Sequence, residues 1–254
     1  MTTTLWRRPQ FTTGGGPGAI ALIALAPTRL PDPLPISRSK HGMPDTESAG
    51  EISLVARDRS DDPAWFTEQI LAPFAELIAT DLGVEVAAAA LVTAHAYVIE
   101  GELADPEDLG HVQAAWALAK CLCEQGATLV LDVYAARAHL GVEVAALAPE
   151  RAFDLMHEVT LFFDECEDGS VAAWTLGLKK FGRPEIVLLD LDPAKATEAA
   201  LLLRDVADTL ALGERIEPGD GVAVSDGRRL VAERFEPASQ PVVAIEGDAI
   251  LLRA

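Results

Sequence analysis

Apolar residues recur along the chain at two different periods. Leu109, Val112, Trp116, Ala119 and Cys123 follow one another at spacings of three and four, the period at which one face of an α-helix repeats. Ala196, Ala199, Leu203, Val206 and Leu210 do the same, with Lys195, Glu198, Asp205 and Asp208 on the other side. Both stripes lie in segments opened by an Asp-Pro dipeptide, Asp105-Pro106 or Asp192-Pro193, and closed by a glycine, Gly126 or Gly213. Asp62-Pro63 and Gly83 frame a third such segment. An Asp at the N-cap accepts orphan amide protons of the first turn, and Pro loses nothing at the first helical position because its missing N–H had no partner there. A glycine beyond the last turn takes the left-handed conformation that ends a helix. Three helices are therefore predicted, and Pro73 is expected to kink or split the first of them.

Between these segments the pattern shortens. Ile52–Arg57, Glu85–Glu100, Thr128–Tyr134, Glu158–Asp164, Val171–Leu176 and Glu185–Leu191 read as strands, being rich in β-branched and aromatic residues and bounded by turn formers. Val187-Leu188-Leu189 is continuous rather than alternating, which suits burial on both faces. Beyond Gly213 the units become short. Asp226-Gly227 separates Val222–Ser225 from Arg229–Phe235, and Glu246-Gly247-Asp248 separates Val242–Ile245 from Ala249–Leu252; each pair is expected to form a β-hairpin. The order of elements predicts an α+β fold: a mixed or antiparallel sheet packed with about three helices, carrying β-hairpins toward the C-terminus.

Charge divides the chain. Forty acidic residues against twenty basic ones give a net charge of −20 over 254 residues. Residues 1–42 run the other way, holding Arg7, Arg8, Arg29, Arg38 and Lys40 against Asp32 alone. They are also rich in Gly and Pro, which opposes a packed core. Arg7-Arg8 followed by the apolar run Ala19–Ala26 imitates a signal peptide, but the run is short and Pro27 follows it. The abrupt change at Met43-Pro44-Asp45 favours a fold that begins there, with residues 1–48 a disordered or non-native extension and residues 49–254 a single domain whose hairpin part covers about 220–254.

The strong acidity excludes direct binding to nucleic acid and to anionic membranes in the absence of a local basic face. No apolar run reaches the ~20 residues of a spanning helix. Cys121, Cys123 and Cys166 are too few and too unevenly placed for a disulfide framework, and a cytoplasmic protein with free thiols is expected. Cys121 and Cys123 would point about 200° apart on a helix, so both are read as packing residues.

Few residues suggest chemistry. His139 and Glu143 are four apart, but Leu140-Gly141-Val142 is not helix-like and no second His follows at ligand spacing. His157 and Glu158 open a predicted strand and would face opposite ways. The acidic runs 58–62, 164–168 and 214–220 read as solvated loops. No phosphate-cradling glycine loop, dinucleotide fingerprint or nucleophile elbow is present. No catalytic residue, metal or cofactor is expected.

One segment stands apart. Residues 174–186, Trp-Thr-Leu-Gly-Leu-Lys-Lys-Phe-Gly-Arg-Pro-Glu-Ile, gather two glycines, a proline, two aromatics and three cations between two predicted strands. Its pattern T-x-G-L-x-x-F-G-x-P-E, followed by a buried strand and an Asp-Pro helix, resembles uncharacterised bacterial families of domains of unknown function. Thr175, Gly177, Leu178, Phe181, Gly182, Pro184 and Glu185 carry the resemblance, which spans about residues 85–220 and implies no reaction. Two readings of the segment compete. In one, the glycines and proline build a connection over Trp174, Leu178 and Phe181. In the other, a turn comprising Thr175, Gly177, Lys179, Lys180, Gly182, Arg183 and Glu185 presents a cationic patch to a carboxylate, a phosphate or an acidic loop.

The sequence is thus read as that of a non-catalytic binding or interaction module, with a protein partner of basic surface favoured by the net charge. A hydrolase using acidic residues and His139 or His157, with or without a divalent metal, is the alternative. Oligomeric state is not legible.

Overall fold

A computed structural model describes residues 4–149, 153–224, 227–236, 243–245 and 247–253. The chain forms an α+β fold and divides into two compact units: the first comprises Met1–Arg7, Ala19–Leu103 and Asp108–Phe153, the second Arg8–Gly18, Ala104–Glu107 and Asp154–Ala254.

The first unit contains β1 (Pro17–Ala26, from Ala19 onward), α1 (Arg38–His41), α2 (Glu47–Gly50), β2 (Ser53–Asp58), α3 (Pro63–Trp65), α4 (Ala72–Leu82), α5 (Val84–Leu91), β3 (His95–Ala104), α6 (Gly110–Glu124), β4 (Leu129–Asp132), β5 (Arg137–Leu140) and α7 (Gly141–Ala146). Its five strands lie in the order β2-β3-β1-β4-β5. The middle strand, β1, comes from the segment that composition set aside. Ala19, Ile20, Leu22, Leu25 and Ala26 are all at most 2% exposed, and residues 22–25 pair antiparallel with β4. The expectation that residues 1–48 lie outside the fold is therefore corrected. An unalternating apolar run is what a strand buried on both faces looks like, and the same run also satisfies the pattern of a signal sequence.

Residues nearer the N-terminus are also held. Gln113, fully buried on α6, donates through Nε2 to the carbonyls of Thr4 (2.8 Å) and Pro149 (2.6 Å), and its Oε1 accepts the Trp6 amide proton at 3.1 Å. The core below the sheet gathers Ile23, Leu25, Phe66, Ile70, Ile78, Leu129 and Leu131.

The expected caps are met in part. The Asp62 carboxylate accepts from the Trp65 amide at 3.1 Å, and Gly83 takes φ +94° after α4. A π-helical turn, Phe66–Leu71, separates α3 from α4 just before Pro73, the kind of break expected where proline removes a helical hydrogen bond. Two readings fail. Residues 84–91 are helical rather than extended, since the run of four alanines outweighs the alternating valines Val84 and Val86. The Asp105-Pro106 dipeptide opens no helix; α6 begins at Gly110, after Leu109.

The second unit contains α8 (Leu155–Glu158), β6 (Thr160–Glu165), β7 (Val171–Leu176), β8 (Glu185–Leu191), α9 (Ala196–Ala211), β9 (Gly221–Ala223), β10 (Arg229–Arg234) and β11 (Ala249–Arg253). Six strands run in the order β6-β7-β8-β11-β10-β9, antiparallel except where β11 lies parallel to β8. Asp192 accepts from Ala194 N–H at 3.0 Å, starting a 3₁₀ turn that leads into α9. α9 lies against β6, β7 and β8 and buries Ala199, Leu203, Val206 and Leu210 as its periodicity requires. A second cluster, Ala172, Trp174, Val187, Phe235, Val243, Ile245, Ala249 and Leu251, fills the opposite face.

The first C-terminal hairpin is β9–β10; its turn residues Ser225 and Asp226 lie outside the described residues. The second expected hairpin is corrected. Val242 and Glu246 lie outside the described residues, Val243–Ile245 are not in a strand, and β11 enters the sheet between β8 and β10. Its run Ala249-Ile250-Leu251-Leu252 is buried throughout, which an inner strand provides and a two-stranded appendage does not. No helix among the described residues is long and apolar enough to cross a membrane.

Candidate functional site

The distinctive segment is the connection between β7 and β8. Gly177 takes φ +123°, residues 178–181 make one 3₁₀ turn, and Gly182 takes φ +63°. Both glycines are required by space as well as by dihedral angle. A Cβ on Gly177 would stand 2.3 Å from the Glu158 carbonyl oxygen, and one on Gly182 would stand 2.2 Å from that of Gly16.

Three ion-bearing side chains of this connection are buried. Glu185 is clasped from inside the turn: its Oε2 accepts from the Thr175 hydroxyl (2.7 Å), and its Oε1 accepts from the amides of Gly177 (2.9 Å) and Lys179 (3.3 Å). Thr175 Oγ1 in turn accepts from Ile186 N–H at 2.9 Å. Burial pushes the Glu185 carboxyl up to about 7, against the pull of the Thr175 hydroxyl and the turn amides.

Lys180, fully buried, donates through Nζ to Glu158 Oε2 at 2.7 Å. Burial by itself would raise the Glu158 pKa. The Lys180 ammonium and then the neighbouring His157 ring override it and bring it to about 2. His157 Nδ1 lies 3.7 Å from Glu158 Oε1. These two residues close α8 rather than open a strand, so the expectation that they diverge is corrected.

Arg183 is the most heavily bonded residue of the connection. Its Nη1 meets Asp105 Oδ1 at 2.8 Å and the Gly182 carbonyl at 3.0 Å. Its Nη2 donates to the carbonyls of Gly213 (2.8 Å) and Thr12 (3.1 Å), and its Nε to that of Glu214 (2.8 Å). This explains the failed cap. Asp105 adopts φ +31° and uses Oδ2 to accept the amides of Gly14 (2.8 Å) and Gly15 (2.9 Å). Partial burial opposes ionisation of Asp105, but Arg183 and the two glycine amides hold its carboxyl below the ordinary aspartate value. Arg8 completes the cluster. It donates to the carbonyls of Leu210 and Ala211 at the end of α9 and to that of Pro106, and burial followed by the Arg183 charge lowers its pKa to about 10.

Beside this connection opens a cleft of about 510 Å³, lined in part by the loop 14–17, Lys179, Arg215, Arg234 and Asp248. Lys179 and Arg234 are exposed. Arg215 lies against Gly14, where a Cβ would come within 2.6 Å of its guanidinium, and forms an ion pair with Glu217. Of the seven residues proposed from the sequence, Lys179, Gly182, Arg183 and Glu185 line this cleft. Thr175, Gly177 and Lys180 do not; they are buried under the turn. The expected patch of three cations is corrected to one exposed cation, Lys179, because Lys180 and Arg183 are themselves buried and paired with the carboxylates of Glu158 and Asp105. Arg215, Arg234 and the glycine loop were not anticipated. The run Gly14-Gly15-Gly16-Pro17-Gly18 was the available signal, and it reads as disorder until Asp105 and Gly182 are seen to hold it.

The other candidates stay apart. His139 sits on β5, with its ring edge-on to Trp116 at 5.3 Å. Glu143, on α7, turns back to accept the Leu140 amide. Cys121 and Cys123 are buried, and burial pushes the Cys123 thiol up to about 12. Among the described residues no group of three or more His, Cys, Asp or Glu side chains is placed to hold a metal ion. Comparison of the chain with family models, with curated proteins and with solved structures returns no match.

Proposed function

We propose that the protein is a non-catalytic binding module and that the cleft of its second unit takes an anionic group, a carboxylate or a phosphate. The observation that carries this reading is the assembly of Lys179, Arg215 and Arg234 along one cleft. They come from the β7–β8 connection, the segment after α9 and the end of β10, so nothing local in the chain brings them together. In a chain with a net charge of −20, gathered cations lower the cost of placing an anion at that point. The buried groups beneath give this reading its geometry. Arg183 and Glu185 are held by internal partners, so they fix the backbone that carries Lys179 at the cleft.

Isothermal titration of the full chain with inorganic phosphate and with acetate, at low and at high salt, tests the proposal. Saturable binding that weakens as salt rises is expected. An absence of saturable heat with either anion at low salt would overturn it.

A further inference from the structure

Each sheet ends in two outer strands, and they are not alike. β5 has four residues and β9 three, too short to offer much of an edge. β2 carries Arg57, whose guanidinium lies 4.6 Å from the centre of the Trp65 ring. β6 is different. It is six residues long, pairs only with β7 among the described residues, and reads Thr-Leu-Phe-Phe-Asp-Glu without the proline or lysine that usually guards an edge. Phe162 is used internally, stacked on Trp174 at 5.7 Å. Phe163 is 39% exposed. Past it the strand and its turn expose Asp164, Glu165, Glu167 and Asp168, and no cation pairs with them among the described residues.

We propose that this edge receives an extended segment of a partner protein bearing lysine or arginine, which adds to the sheet as a strand beside β6. An added strand satisfies the outward amides and carbonyls of β6, and the alternation of side chains sets what it must carry. Phe163 and Glu165 share one face and Phe162 and Asp164 the other. A fitting segment therefore places an apolar residue opposite Phe163 and a cation two residues along, opposite Glu165. The carboxylates also guard the edge against the acidic surface of most of this same chain, so the occupant argued for is a basic partner rather than a second copy. The edge and the cation-lined cleft rest on different residues, and neither reading depends on the other.

The test uses the full chain labelled for NMR and a peptide of about eight residues repeating Lys-Lys-Val-Val, which presents lysine and valine alternately on each face of a strand. A Glu-Glu-Val-Val peptide serves as its control. Binding of the lysine peptide is expected to slow hydrogen exchange at the outward amides of residues 160–165, with no binding of the control. Asp164→Lys/Glu165→Lys, at two exposed positions, is expected to keep the fold and to weaken binding about tenfold. Three results would overturn the proposal. The first is lysine-peptide shifts spread over other acidic segments while the β6 amides stay unprotected. The second is equal affinity in the double variant, and the third is a free protein already dimeric with those amides protected.

Discussion

The two units bury different kinds of polar group. Among the described residues, the first buries His41, Thr93, His111, Gln113, Asp132 and His139, whereas the second buries Arg8, Glu158, Thr175, Lys180, Arg183 and Glu185. In the first, most of the hidden polarity is amide, hydroxyl or imidazole. Gln113 ties down residues 4–6, and His41 links the Ser37 amide to Glu124. In the second, whole charges are buried and matched around one connection: Lys180 with Glu158, Arg183 with Asp105, and Glu185 with the turn itself. A buried pair contributes little net stability, yet removing one partner strands the other. The second unit is thus expected to tolerate single changes at these positions poorly, in exchange for a fixed turn beside the cleft.

The largest effect should come from starting the chain at Met43, which removes β1 from the centre of one sheet and Arg8 and the glycine loop from the other unit. Circular dichroism is expected to show no cooperative unfolding; a sharp melt would mean that β1 is dispensable. Next comes Lys180→Met, which takes from the buried Glu158 its ammonium partner and leaves it only the neighbouring His157. Denaturant unfolding should report a loss of about 3–5 kcal/mol, much of it recovered by adding Glu158→Gln. A first-unit counterpart, Gln113→Ala, frees one buried amide and two carbonyls and is expected to cost about 1–3 kcal/mol. If it costs as much as Lys180→Met, the contrast between the units fails.

The pH dependence has two opposite parts. The Glu185 carboxyl is raised from 4.5 to about 7, so the folded state holds its proton more tightly than the unfolded chain does. Its contribution is complete below about pH 4.5 and is lost as pH rises through 7. Glu158 is lowered from 4.5 to about 2, and its contribution is present above 4.5 and lost as pH falls through 2. Glu185→Gln should therefore flatten the decline in stability between pH 5 and 8 while leaving acid unfolding unchanged. A decline of the same slope in the variant would assign that pH dependence to other groups.

How much of this was legible in the sequence depended on distance along the chain. Asp62 and Asp192 cap their helices through amides two or three residues away, and the apolar stripe of α9 is buried as its spacing predicts. The Asp105-Pro106 dipeptide looks the same, but its carboxylate is taken by Arg183, 78 residues further on, and no local pattern records that. The 174–186 turn was visible through its glycines and proline. The burial of Lys180 and Arg183 was not, because their partners lie 22 and 78 residues away. β1 was misread because a strand buried on both faces and a short secretory apolar run share one pattern. Arg215 and Arg234 were invisible as site residues, since only the closure of the sheet around β11 brings their segments to the same cleft.

The division of labour between buried and exposed cations is tested most directly by Lys179→Ala/Arg215→Ala/Arg234→Ala, with phosphate affinity and unfolding midpoint measured on the same preparation. Affinity for phosphate should disappear. Stability should change little, since exposed substitutions typically cost about 0.5 kcal/mol or less each. Retained affinity, or a collapse of stability comparable to that of Lys180→Met, would contradict the assignment of these three side chains to the ligand and of Lys180 and Arg183 to the fold.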